Sequence, residues 1–277
     1  MIALIDGDII LHRCAGSCEP TKAKPFVETS DVAFYRMRDL VSRILQETNA
    51  DTFKIFVGDG KTFRHTLYPE YKSNRIKPRP THYEFLKEIL FSDYNAELVT
   101  EIETDDRLGI EQTKEGDSSI ICSIDKDLLQ IPGYHYNFIR QYRTFVSVSD
   151  GLRTFYGQIL SGDGTDNIPG FDGKCRNTIP QFIQKLIDPI NDLYDEWEMF
   201  DYVFNFYCPP EDGDWEQGFK TLLRNAKLLY IHKKENDEWQ PPKQNQNIMN
   251  GLMPDITPLL SVSSDKELDD IPPNTNV

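Results

Sequence analysis

Three short apolar runs, each closed by an aspartate, constrain this chain most. Residues 2–5 lead to Asp6, residues 53–57 to Asp59, and residues 119–124 to Asp125. Runs of this length, rich in β-branched residues, read as strands. Between the first two, Met37, Leu40, Val41, Ile44 and Leu45 share one face of a helix that Ser30 or Asp31 can cap. Residues 83–91 and 105–112 carry further helical patterns, and 97–100 and 134–138 are weaker strand signals. Strand–helix alternation implies a mostly parallel sheet covered by helices. Ligands bind such sheets outside the carboxyl ends of the strands. Three strands would therefore deliver acids to one edge.

The later chain changes character. From about 156 to 232 the patterns are helical, broken by Pro169, Pro189 and Pro209. We expect an α/β domain over 1–155, a helical subdomain over 156–235, and a disordered tail over 236–277 in which only 256–262 has the apolar content to dock. No apolar run reaches the ~18–20 residues of a membrane span, and the first residues read as a strand rather than a leader. The cysteines, Cys14, Cys18, Cys122, Cys175 and Cys208, are five, an odd number. With no second Cys/His pair at zinc spacing, they read as reduced thiols of a cytoplasmic protein.

Net charge is −15, which alone argues against a polyanionic partner. Its distribution argues otherwise. Lys61, Arg64, Lys72, Arg75, Lys77 and Arg79 form a stretch with one acid, Glu70, whereas residues 188–216 contain no Lys or Arg. A solvated face and a phosphate-gripping stripe both accommodate the basic stretch. More acids join the strand-end aspartates: Asp127, the helix-start group Glu103, Asp105 and Asp106, and Asp163 and Asp166 in a Gly-rich turn. Any one of them could be an ordinary solvated carboxylate. Crowded together they would repel and raise one another's pKa. Oxygen-seeking Mg²⁺ or Mn²⁺ relieves that conflict, and two such ions can drive phosphodiester hydrolysis.

The segments LIDGDIILHR, VGDGKTFRHTLYPEYKSNR, ETDD, CSIDKDLLQIPG and SGDGTDNIPG, in this order over residues 4–170, resemble the 5′-nuclease (flap endonuclease) superfamily. The likeness is nearest to bacteriophage 5′→3′ exonucleases and the 5′-nuclease domain of bacterial DNA polymerase I. It implies a PIN-like α/β nuclease domain followed by a helix–three-turn–helix subdomain. It further implies hydrolysis near DNA or RNA-primer 5′ ends or flaps, in replication or recombination, with two Mg²⁺ or Mn²⁺ ions. By the resemblance, Asp6, Asp59, Glu103, Asp105 and Asp106 form one metal group, and Asp125, Asp127, Asp163 and Asp166 the other. Asp8 is an optional outer ligand. Lys72 and Arg75 match the basic pair that contacts the scissile phosphate. Lys61, Arg64, Lys77, Arg79, Lys174 and Arg176 are expected to meet DNA, RNA–DNA hybrids and replication proteins are further candidate partners, and a monomer is expected.

The chain also departs from the family. The arch segment after Arg75 is interrupted by Pro78 and Pro80. In the hairpin over 170–178, Cys175 and Asn177 stand where the family has Gly and Lys. Backbone carbonyls of that hairpin can hold a K⁺ ion in relatives; here Lys174 and Arg176 would supply charge instead. Tyr35 reads as packing against the sheet, with base stacking as the alternative, and His65 as a surface or phosphate contact. Two rival readings remain. A haloacid-dehalogenase-like phosphatase explains Asp6-Gly7-Asp8 and the late Gly-Asp-Gly turn but not the other segments. A catalytically dead PIN-like binder would tolerate missing carboxylates, yet all are present.

Overall fold

The computed structural model describes residues 1–209 and 215–243; the expected tail beyond 243, with its 256–262 stretch, lies outside the described residues. The chain begins β1 (Ile2–Asp6), α1 (Gly7–Gly16), α2 (Ser30–Thr48), β2 (Thr52–Thr62), α3 (Phe63–Leu67) and α4 (Tyr83–Tyr94). It continues through β3 (Glu97–Glu101), α5 (Thr104–Glu115), β4 (Ser119–Cys122), β5 (Gly133–Asn137) and β6 (Tyr142–Val146). Helix α6 (Val148–Ser161), the short strands β7 (Gly162–Asp163) and β8 (Ile168–Pro169), and helices α7 (Gln181–Ile187), α8 (Glu196–Tyr207) and α9 (Trp215–Leu229) follow. Among the described residues no helix is long and apolar enough to cross a membrane.

The main sheet has the order β3-β2-β1-β4-β5-β6, parallel except for β6. Successive side chains of a strand point to opposite faces, so a strand covered on both sides is apolar throughout. Ala3 and Ile5 of β1 pack with Met37, Ile44, Leu86 and Leu90 from α2 and α4, while Leu4 faces the other way, toward Leu108 of α5. The sequence pattern did not reveal α1 or β6. Helix α1 starts without a linker because Asp6 ends the strand and caps the helix in one step, its carboxylate accepting from Ile9 N at 3.1 Å. Gly7 is required there, since a Cβ would lie 2.5 Å from Phe56 O.

The expected division at 155/156 falls inside α6. That helix contributes Phe155, Tyr156, Ile159 and Leu160 to a separate core with Phe200 and Phe204 of α8 and Phe219 of α9. The Met and Phe residues of α8 are thus helix core. The tail expectation starts too early. Asp237 and Trp239 are 8% and 5% exposed. The Trp239 ring packs 5.8 Å from Phe155 and 6.2 Å from Phe200. One large aromatic anchors a stretch whose composition is otherwise that of a tail.

Candidate active site

A cleft of about 390 Å³ opens at the carboxyl ends of β1 and β4. Asp6 reaches it from β1, Asp125 and Asp127 from the segment after β4, Glu103 and Asp105 from the start of α5, Asp163 from the end of β7 and Asp166 from the turn between β7 and β8. Seven of the nine acids assigned by resemblance therefore converge.

The first group is held tightly. Asp6 is 2% exposed and also accepts from Ser123 Oγ at 2.7 Å. Burial, reinforced by the neighbouring Asp8, pushes its carboxyl up to about 7 despite the Ser123 and Ile9 bonds. Burial and repulsion from Asp125 and Asp6 raise Asp105 well above the ordinary value. Glu103 goes the other way. Burial would raise it, but Lys72 and Arg64 outweigh that and hold it below the usual range. Asp8 is a strut across the group, accepting from Thr104 Oγ1 at 2.5 Å, Gly58 N at 3.1 Å and Tyr83 OH at 3.4 Å.

In the second group, Asp125 accepts from Asp127 N at 2.9 Å, and Asp127 from Gln158 Nε2 at 2.6 Å and Lys126 Nζ at 2.8 Å. Burial, then repulsion from Asp125, lifts Asp127 to about 7. Burial, with the nearby Asp166 and Asp163, also raises Asp125.

Lys72 stands between the groups. Its Nζ lies 2.5 Å from Glu103 Oε1 and 3.5 Å from Asp166 Oδ2, and its backbone has a left-handed φ of 55°. Burial opposes its charge, but Glu103 and Asp166 more than compensate and raise its pKa. Arg75 pairs with Asp166. Tyr71 OH is 2.9 Å from both Glu103 Oε2 and Asp166 Oδ2, so one hydroxyl proton serves two carboxylates. As these side chains stand, no three His, Cys, Asp or Glu among the described residues form a cage for an ion; protein cations and hydrogen bonds hold the acids instead.

Four assignments need correction. Asp59 is exposed and does not line the cleft. Strand β2 does not end at Val57 but runs on to Thr62, with a shift of register against β3 after Gly58 that carries Asp59 away. Asp106 is fully buried and has both oxygens engaged: Oδ2 by Arg64 Nη1 at 2.6 Å and Glu103 N at 3.0 Å, Oδ1 by Arg64 Nη2 at 2.8 Å and His232 N at 3.1 Å. Arg64, 2% exposed, is correspondingly removed from the basic stripe. Arg176 is bound bidentately by Asp172, one contact being 2.7 Å, and is only partly available to a ligand.

Of the remaining bases, Lys61, Lys77 and Lys174 are exposed, and Arg79 lines the cleft while pairing with Glu84 at 2.6 Å. Tyr35 does not pack on the sheet; it is 51% exposed beneath the Arg38 guanidinium. His65 lines the cleft, its Nδ1 accepting from Thr62 N at 3.2 Å. The sequence reading missed His12, Tyr71, Ser123 and Gln158. His12 lines the cleft against the Tyr83 ring, and burial lowers its pKa. Tyr71 and Ser123 adjoin Lys72 and the Ser-Ile-Asp-Lys-Asp run, but Gln158 carries no local signal.

Known proteins resemble this chain in sequence and in fold. A 5′-3′ exonuclease of Buchnera aphidicola subsp. Acyrthosiphon pisum is 28% identical over 263 residues, 86% of this chain and 82% of that protein. The DNA polymerase I of Bacillus subtilis is 27% identical over 222 residues, 69% of this chain and 25% of the polymerase. The fold is shared with a T5 5′-exonuclease mutant at a TM-score of 0.56 and 16% identity, over 82% of this chain and 86% of that one. It is also shared with a T5 protein co-crystallised with metal ions, at 0.52 and 17%, over 82% and 89%. The model of the 5′-3′ exonuclease N-terminal resolvase-like domain matches residues 1–156, and the chain belongs to that family.

Proposed function

We propose that this protein is a divalent-metal-dependent 5′-nuclease that hydrolyses phosphodiesters near 5′ ends or flaps of DNA. The observation that carries the reading is the convergence of two acid groups on one cleft with Lys72 and Arg75 between them. The donor set fits hard divalent cations. Asp6, Asp105, Asp125 and Asp127 are carboxylates whose ionisation burial and neighbouring acids oppose. Oxygen-coordinated Mg²⁺ or Mn²⁺ resolves that conflict. Asp6, Glu103 and Asp105 would hold one ion, and Asp125, Asp127, Asp163 and Asp166 the other. Such ions supply Lewis acidity and charge neutralisation at a phosphodiester.

The chain's own residues do the rest. Lys72 and Arg75 present cations where a phosphate bridging the two groups would develop negative charge. Asp8 and Ser123 fix the walls from which Asp6 and Asp125 project. The exposed Lys61, Lys77 and Lys174, with Arg79 in the cleft, supply sequence-independent attraction for the DNA backbone. RNA–DNA hybrids are compatible substrates on the same chemistry. A phosphatase acting through a phosphorylated Asp6 is disfavoured, because Asp6 is buried and both its oxygens accept hydrogen bonds.

The deciding experiment is digestion of 5′-labelled duplex, nicked and flap substrates with Mg²⁺, with Mn²⁺ and with excess chelator, reading product lengths at nucleotide resolution. We expect cleavage near the labelled end only with an ion present. Full activity in chelator overturns the metal-dependent reading, and binding without cleavage under every ion condition marks a dead binder.

A further inference from the structure

Residues 228–232, the end of α9 and the chain leaving it, do not line the cleft, yet two sets of buried side chains tie them to both acid groups. A helix C-terminus leaves carbonyls without intrahelical partners and favours a cation beside them. Arg64 Nε donates to Leu228 O at 2.8 Å and Nη2 to Tyr230 O at 2.6 Å. Its remaining edge grips Asp106, which accepts from His232 N on one oxygen and from Glu103 N on the other. The Glu103 contact is half of the capping box that starts α5. Arg64 and Asp106 thus decide where the first residues of α5 stand, and with them the Glu103 and Asp105 carboxylates.

On the other side, Gln130, 2% exposed, donates from Nε2 to Leu229 O at 2.8 Å and to Gln158 Oε1 at 2.5 Å, and its Oε1 accepts from Ile231 N at 3.4 Å. Gln158 in turn donates to Asp127 Oδ1 at 2.6 Å. The same five residues, 228–232, are therefore linked to Glu103 through Arg64 and Asp106, and to Asp127 through Gln130 and Gln158.

We infer that residues 228–232 are a brace that sets the spacing of the two acid groups, with Arg64, Asp106, Gln130 and Gln158 as positioning residues. None of the four lines the cleft. The inference rests on the nuclease reading for what the acids do, but it concerns only what holds them. A guanidinium fork is needed at position 64, because lysine cannot serve two carbonyls and both carboxylate oxygens from one fixed plane. Partners that orient metal ligands typically change ion affinity by roughly 10- to 100-fold when lost.

The test measures Mn²⁺ binding by electron paramagnetic resonance, melting temperature, and DNA affinity in chelator for Arg64→Lys, Asp106→Asn and Gln158→Met. It adds the paired apolar replacement Arg64→Met/Asp106→Leu. Arg64→Lys and Asp106→Asn are expected to weaken the same ion, and Gln158→Met the other, by roughly 10- to 100-fold, with DNA affinity in chelator unchanged. The apolar pair is expected to regain melting temperature lost by the single variants, yet to stay weak in ion binding. Several results overturn the inference. One is lower melting temperatures with unaltered ion binding, which makes the network structural only. Another is lost DNA affinity in Arg64→Lys with normal ion binding, which returns Arg64 to the DNA interface. A third is weakened ion binding in Asp106→Asn but not in Arg64→Lys, which makes Asp106 a ligand. If the Arg64 variants fail to fold, normal ion binding by Gln158→Met is sufficient to overturn it. Absence of Mn²⁺ binding in the unaltered protein overturns the nuclease reading itself, and the brace with it.

Discussion

Replacing Lys72 with methionine keeps most of the stem and removes the ammonium, so it separates packing from charge. The ammonium lies 2.5 Å from one Glu103 oxygen and 3.5 Å from an Asp166 oxygen, with a side chain 19% exposed. Removing one partner of a fully buried ion pair costs about 3–5 kcal/mol. Partial exposure and the neighbouring Arg75 reduce that here, and about 2–3 kcal/mol of stability lost in chelator is the expected figure. Divalent cations should return most of it, since they neutralise the same carboxylates. The reaction should not recover. A cation placed where charge develops contributes on the order of 3–4 kcal/mol to the transition state, a loss of roughly 10²–10³ in rate. The assays are single-turnover cleavage of a 5′-labelled flap at saturating protein, and thermal melts with chelator and with Mg²⁺. Ion affinity, followed in parallel, should rise, because Lys72 no longer competes for Glu103 and Asp166. A rate within twofold of the unaltered protein at saturation refutes the role assigned to Lys72. A fall in ion affinity refutes the competition.

Four further outcomes are expected. Asp6 and Asp127 are pushed up to about 7, so in chelator they hold protons that an unfolded chain releases above 3.8, and their contribution to stability declines as pH rises toward 7. An ion must displace those protons, so the gain in melting temperature on adding Mg²⁺ should grow as pH climbs through 7; a gain independent of pH contradicts this. Truncation after Lys243 should leave the melting temperature intact, whereas truncation after Lys234 removes Trp239 and should cost about 3–5 kcal/mol, roughly 6–20 °C for a chain of this size. Asp125→Asn with Asp127→Asn should abolish hydrolysis and leave DNA binding in chelator unimpaired; equal loss of both, measured by cleavage and fluorescence anisotropy, indicates misfolding. Lys174→Ala should flatten the salt dependence of DNA binding by up to about one ion, and Arg176→Ala by less, because Asp172 already holds Arg176.

The fold was legible where local pattern and tertiary role coincide. Residues 2–5 are apolar because both faces of β1 are covered, and Asp6 is acidic because the strand ends there at an edge open to ligands. What escaped the sequence depends on partners far along the chain. Counting charges places Arg64 with the surface bases, but its carboxylate is 42 residues away and its carbonyls 164 and 166 away. Asp59 follows an apolar run as Asp6 does, yet Gly58 and Gly60 carry no signal that the strand continues and shifts register. Trp239 is a single aromatic among polar residues, and nothing local reports that it packs against Phe155 and Phe200.

Those long separations also bear on the order in which the molecule comes into being. The sheet order requires little beyond residue 146, so a nascent chain can assemble β1 to β6 while the rest is still in the ribosome. The backbone N–H that completes the Asp106 clamp belongs to His232, 126 residues later. The cleft acids are complete only at Asp166, so at about 5–20 residues per second the wait from there to His232 is roughly 3–13 s. During that interval the acid groups exist without the contacts that fix their spacing, and an emerging chain is expected to be incompetent to cut nucleic acid near the ribosome, the messenger included.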